Sequence, residues 1–310
     1  MAESRTLPPV VAAPAPPAPG LRERQPPRWP RLLLANRLVL FGLLLALLLV
    51  LLALLADVVS PHDPIALDVR HRQEAPSALH PFGTDRLGRD ILSRVIHGAR
   101  NSLRVAAVSV AAALLLGSAL GLVSGYFGGL VDLAIGRVMD IFFSFPVLLL
   151  AIAIAAMLGP GVGNASLAIA IVYTPLFARV VRGPVIAERH RDYVEAARVL
   201  GASHPRVIVR HILPNVVSPM IVQASASLSH AILIEAALSY IGLGTQPPAP
   251  SWGTMLSEGR TFLETAPWMS IFPGAAIALA VLAFNLLGDG IRDLLDPTLR
   301  GHGLPGVAQR

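Results

Sequence analysis

The chain has 310 residues, 54% of them hydrophobic and only 14% charged, with a mean hydropathy of +0.63. A soluble protein carries about 25% charged residues, so an ordinary globular enzyme is excluded. A disulfide scaffold is excluded by the absence of Cys, and a collagen repeat by 26 Gly without a three-residue period. The formal charge of +6 rests on 25 basic residues, all Arg. Most of that excess flanks apolar blocks, which points to membrane topology rather than nucleic-acid binding.

Residues 1–30 form a tail rich in Pro, Ala and Arg, including Pro14, Pro16, Pro17, Pro19, Pro26 and Pro27. It cannot bury a core and is expected to stay disordered. Segment 31–104 holds the first apolar block, Leu38 to Ala56, which carries no charge and spans roughly 29 Å as a helix. It is too long for a signal-peptide core and lacks an A-x-A site, so an uncleaved first transmembrane helix is expected. Five further spans are predicted over Val105–Tyr126, Leu133–Leu158, Ala165–Val181, Val216–Gly242 and Met269–Gly288. The fold class is therefore an all-α polytopic membrane protein with six transmembrane helices. Pro146, Pro175, Pro219 and Pro273 lie in or at the ends of these spans and suit kinked, closely packed helices.

An even number of spans puts both termini on one side. The tail carries Arg5, Arg22, Arg24, Arg28, Arg31 and Arg37, and the gap 182–215 carries Arg182, Arg189, Arg191, Arg198, Arg206 and Arg210. The positive-inside rule makes that side cytoplasmic, with residues 301–310 as a short cytoplasmic tail.

Within that gap, Tyr193–Gly201 reads as a short helix and Gly201 as its left-handed stop. Ser203 is an N-cap for a second short helix, in which Pro205 is tolerated and which Pro214 ends. Val194, Ala197 and Leu200–Gly201 are expected to share one small apolar face.

Polar residues inside spans need partners. Arg137 and Asp140, three apart, are predicted to form a structural pair on one helix face. Glu235 is expected to face the helix bundle or water, and with Gln223 and Asn285 it is a pathway or interhelical hydrogen-bonding residue. His62, His71, His80 and His97 show no ligand spacing, so no metal site is predicted. No catalytic or cofactor-binding residue is expected. Ser124-Gly125 and Asp289 do not make a protease site without a base or a second free Asp. Without any Lys a P-loop is impossible.

The spacing of Glu195-Ala196-Ala197, Gly201 and Ile212-Leu213-Pro214 resembles the signature cytoplasmic loop of ATP-binding-cassette (ABC) importer permeases. His80-Pro-Phe-Gly-Thr-Asp-Arg-Leu-Gly-Arg-Asp90 with Gly98-Ala-Arg-Asn-Ser-Leu103 is similar to the dipeptide and oligopeptide importer subfamily. So are Gly125-Tyr-Phe-Gly-Gly129, Ser144-Phe-Pro146, and Ile234–Gly244 running on to Pro250–Met255. The resemblance implies the C-type permease of a peptide importer, with a type I importer core over 105–300. Glu195, Ala196, Ala197, Gly201, Leu213 and Pro214 would then belong to the ATPase-coupling loop. It further implies a second permease, two ATPase subunits carrying ATP and Mg, an extracytoplasmic binding protein and a bacterial inner membrane. Cargo of the same family could instead be nickel chelates or glutathione. A secondary transporter is the rival class, but no inverted repeat is evident.

Overall fold

The computed structural model describes residues 37–295; the two terminal tails read from the sequence lie outside them. Helix α1 (Arg37–Leu54) is followed by the short α2 (Ala56–Val59) and an outer segment over 60–90. Helix α3 (Ile91–Phe127) precedes α4 (Gly129–Phe143), α5 (Val147–Leu158) and α6 (Val162–Glu188). Helices α7 (Asp192–Val199) and α8 (His204–Val207) lead into α9 (Leu213–Tyr240), α10 (Trp252–Gly259) and α11 (Trp268–Leu295). Among the described residues five helical stretches are long and apolar enough to cross a membrane, and the bent pair α4–α5 makes six if its two halves count as one span.

That pair departs from the straight third span read over Leu133–Leu158: its halves meet at 93°. Pro146 has no N–H to continue the ladder and caps α5 at φ −58°. Ser144 closes α4 by donating its Oγ–H to the Ile141 carbonyl at 2.6 Å. Pro175 and Pro184, by contrast, are carried inside α6.

Helix α3 begins well before the span Val105–Tyr126 that hydropathy marks. Its first turns carry charges that a hydropathy window reads as a gap, and the fold supplies their partners. Asp90 caps the helix, accepting from the Ser93 N–H at 2.8 Å. Arg94 donates to Glu258 at 3.0 Å, and Arg100 to Asp57 at 2.9 Å.

Helices α3 and α6 form the centre of the bundle. Gly117, Gly121 and Gly125 let them touch: a Cβ at Gly117 would stand 2.4 Å from the Thr174 carbonyl oxygen, and one at Gly121 2.5 Å from that of Ala178. Phe177, Ile169, Ala113 and Ala168 fill the adjoining core, with Ile232 and Leu238 of α9 against them. Helix α1 lies outside, on α11, where Gly290 accommodates Val39. Trp252 of α10 is fully buried and donates Nε1–H to the Val95 carbonyl at 3.0 Å.

The outer segment packs over α10 and α11. Phe82 stacks on Phe272 at 3.9 Å, and Trp268 donates to the Thr84 carbonyl at 3.1 Å. Arg89 joins Asp85 at 2.6 Å and Glu258 at 2.8 Å. Gly88, at φ +78°, passes so close to Asp68 that a Cβ would overlap its carbonyl oxygen.

Candidate functional site

The loop 189–213 lies at the opposite end of α3 from Asp90. Helix α7 ends in a Schellman turn: the Ala202 N–H donates to the Ala197 carbonyl at 3.0 Å and the Gly201 N–H to that of Arg198 at 2.9 Å. Gly201 sits at φ +81°, as its C′ position requires. Ser203 occupies the N-cap of α8, although its hydroxyl makes no capping bond.

Pro214 does not end the second short helix. A π turn over Ile208–Ile212 carries α8 straight into α9, with the Leu213 N–H reaching back to Ile208 O. The wider turn places Pro214 in the first turn of α9, where a missing N–H is tolerated.

The apolar face expected of α7 is divided. Val194 points inward and is fully buried with Tyr126, Val181, Val185, Val207, Ile212 and Val216. Val199 and Leu200 point the other way and are 88% and 87% exposed. Of the remaining loop residues, Ala196 is exposed, Ala197 half-buried and Leu213 half-buried. Glu195 is exposed, and among the described residues no side chain bonds its carboxylate.

Polar contacts bind this loop to the bundle. Tyr126 of α3 bonds His204 Nδ1 at 2.8 Å, and the Arg198 guanidinium lies 5.0 Å from the Tyr126 ring centre. Tyr193 donates to Glu188 and accepts from Asn215 Nδ2 at 2.9 Å. Burial first, then the Glu188 carboxylate, raises the Tyr193 phenol above its ordinary range. Arg189 donates to the Gly125 carbonyl at 2.9 Å, satisfying the end of α3.

On the exposed side of α4, Asp140 does not pair with Arg137. It bonds Arg179 of α6 at 3.1 Å, and that guanidinium also lies 3.8 Å from the Phe143 ring centre. The neighbouring helix outcompetes the i,i+3 partner because its guanidinium gains a carboxylate and an aromatic face together. Arg137 lines a recess of about 310 Å³ with both residues. A bidentate pair that sequence reasoning missed, Arg182 to Asp132 at 2.5 and 2.6 Å, closes the same recess. Helix α6 supplies both guanidinium groups one turn apart, but no local pattern marks their acceptors.

Glu235 is 1% exposed and faces the bundle, accepting from Ser239 Oγ at 2.7 Å. Ser239 Oγ in turn accepts from the Thr245 N–H at 3.1 Å, fixing the turn after α9. Asn285 accepts from Ser229 Oγ at 2.6 Å, and Gln223 donates to Ser227 Oγ at 3.1 Å. Gln223 and Asn285 line an open groove of about 530 Å³ with Ser218, Asp289 and Arg292. A second groove, of about 410 Å³, shares Gln223 and Ala226 and continues to His230 and Leu233. The two form one furrow along α9, and Glu235 is not part of it.

Of the four histidines in the outer segment and the start of α3, His71 bonds Asp68 at 2.7 Å, and His97 bonds Asp57 at 3.2 Å. His62 and His80 instead converge on Asp90.

The family described as the binding-protein-dependent transport system inner membrane component matches residues 117–301. The N-terminal transmembrane domain of oligopeptide transport permease C matches residues 29–76. A dipeptide transport system permease protein of Alkalihalophilus pseudofirmus is 46% identical over 86% of this chain and 87% of its own length. A di/tripeptide transport system permease protein of Pseudomonas aeruginosa is 48% identical over 86% and 89%. A glutathione transport system permease protein of Pectobacterium atrosepticum is 45% identical over 88% and 90%. The inward-facing MetNI methionine ABC transporter shares the fold, with a TM-score of 0.54 at 18% identity over 66% of this chain and 98% of that one.

Proposed function

The chain belongs to the inner-membrane components of binding-protein-dependent transport systems, and we propose that it forms half of a peptide-import pathway powered by ATP hydrolysis on separate subunits. It is a multi-pass membrane permease, and the peptide cargo of its relatives, glutathione included, supports a short-peptide cargo here.

One observation carries the coupling assignment. Helix α7 buries Val194 in the bundle while its C-terminal end and cap hold Val199 and Leu200 bare. An exposed apolar pair at a rigid turn is what a groove on a partner ATPase takes up. Glu195 and Ala196 lie exposed beside it, and Glu195 is free to meet a cation of the partner. The load then passes inward along short contacts. Val194 and Val207 press on Val181, Val185 and Val216 of α6 and α9, and His204 bears on Tyr126 of α3. Closure of paired ATPases would tilt these three helices together as rigid bodies. Leu213 and Pro214, just past the π turn, sit where that tilt enters α9.

The furrow along α9 supplies this chain's half of the path, with Gln223 and Asn285 on its wall, and a homologous second permease closes it. Glu235 lies off that wall, buried and bonded to Ser239 one turn along α9, where it braces the turn that follows. A binding protein outside delivers cargo, and ATP with Mg resides on two ATPase subunits. Both termini are cytoplasmic, on the side of the Arg-rich 182–215 loop.

Orientation is tested in this naturally cysteine-free chain by single cysteines at Ser77 and Ser203, both exposed. In intact cells or spheroplasts, S77C is expected to react with an impermeant thiol reagent, and S203C only after the inner face is opened. The reverse pattern would remove the loop from the ATPase side and end the coupling assignment.

A further inference from the structure

We propose that His62, His80 and Asp90 form a site for one divalent d-block cation of the zinc class, on the face opposite the 189–213 loop. His62 Nδ1 lies 3.8 Å from Asp90 Oδ2, and His80 Nδ1 lies 2.9 Å from Asp90 Oδ1. One donor atom from each of the three residues falls within 4.8 Å of the others. Ligands at 2.0–2.1 Å around a tetrahedral zinc are about 3.3 Å apart; the His80 separation is shorter than that and the His62 separation, to the other carboxylate oxygen, longer. The two imidazoles and one carboxylate leave a fourth position open for water.

Two observations set this cluster apart from ordinary loop histidines. The first is a donor with nothing to bond: His62 Nδ1 is shielded from solvent and has no hydrogen-bond partner. The second is a buried carboxylate that has helix-cap hydrogen bonds but, among the described residues, no guanidinium partner. Asp90 is 2% exposed, yet among the described residues its ion-pair contacts are these two imidazoles alone. Asp85 nearby, equally buried, has both Arg89 and Arg94. The cap bonds engage Oδ2 alone, so Oδ1, which faces His80, is the oxygen a divalent ion would take up.

The ligands are also held in advance. The His62 N–H donates to Ser93 Oγ at 3.1 Å, and its carbonyl accepts from Ser60 Oγ at 3.1 Å. The His80 N–H donates to Ser77 Oγ at 3.1 Å, and its carbonyl accepts from the Gly83 N–H at 2.8 Å. Asp90 is fixed as the cap of α3, with Oδ2 accepting from Ser93. Binding replaces the His80–Asp90 hydrogen bond with metal coordination, and rotation of the half-exposed His62 ring closes the remaining gap. A bound cation would clip the outer segment to the start of α3.

The test uses the permease complex purified without a polyhistidine tag, stripped with chelator and placed in nanodiscs. Co²⁺ is the probe. We expect one Co²⁺ to be retained at this site, to show the intense visible bands of tetrahedral coordination, and to be displaced by Zn²⁺. His62→Phe should weaken retention by at least the roughly 10–100-fold that loss of even an outer-shell partner costs, while the complex stays assembled. His97→Asn should bind as wild type. Absence of Co²⁺ retention by the wild type, or retention unchanged in His62→Phe, would overturn the proposal. Neither result touches the permease reading, which rests on the family match and the relatives rather than on any bound ion.

Discussion

Gly201→Val is expected to leave the chain inserted and paired with its second permease, yet to lower ATPase copurification and abolish uptake. Gly201 stands at φ +81° with open space around its Cβ position, so the penalty comes from the backbone rather than from a clash within this chain. A β-branched residue held at that φ costs about 1–3 kcal/mol. If the strain acts in the docked loop, it weakens docking about five- to 150-fold. The six spans are spared because the turn lies beyond the bundle. Gly201→Asn separates conformation from bulk, since Asn tolerates the left-handed region, and it should retain most of the coupling. Quantitative recovery of ATPase subunits beside an uptake assay reads the effect. Wild-type recovery and uptake in Gly201→Val would mean that the Schellman turn has no part in coupling.

Gly121→Val should act on the bundle itself. A Cβ at Gly121 would lie 2.5 Å from the Ala178 carbonyl oxygen and 2.9 Å from Val181 Cβ. The nearest obstacle is backbone and cannot swing aside, so α3 and α6 must part. Overpacking costs about 1–3 kcal/mol when side chains can adjust, and here the cost should reach or exceed the upper end. The expected result is a large fall in the Tm of the detergent-solubilised chain and reduced accumulation in the membrane. Gly136→Val is the control, because a Cβ there meets nothing within 4 Å. Equal melting of the two variants would contradict the close α3–α6 contact.

The positions of the membrane crossings were legible because apolar length is a local property of the chain. The stop of α7 was equally legible, since a Gly after a run of helix formers has one favoured use. What failed depended on partners distant in sequence. Arg137 and Asp140 satisfy the i,i+3 rule, but Arg179 of the neighbouring α6 reaches Asp140 instead. Hydropathy began the second span only at Val105 because the stabilising partners of Arg94 and Arg100 lie on α10 and α2. Pro146 suited a kink in a continuous third span, while the 93° angle between its halves has no local signature. The division of Val194 from Val199 and Leu200 followed from where the bundle lies, not from helical periodicity. Spacing rules likewise separate His62, His80 and Asp90, which meet only when the outer segment folds back onto the start of α3.

The coupling account is tested most directly by reconstituting the complete complex with its binding protein in proteoliposomes and following a labelled dipeptide. Accumulation should require ATP on the ATPase side, persist when ion gradients are dissipated, and stop when the catalytic residues of the ATPase subunits are disabled. Dipeptide accumulation driven by a proton or sodium gradient, with this chain present and the ATPases absent, would contradict it.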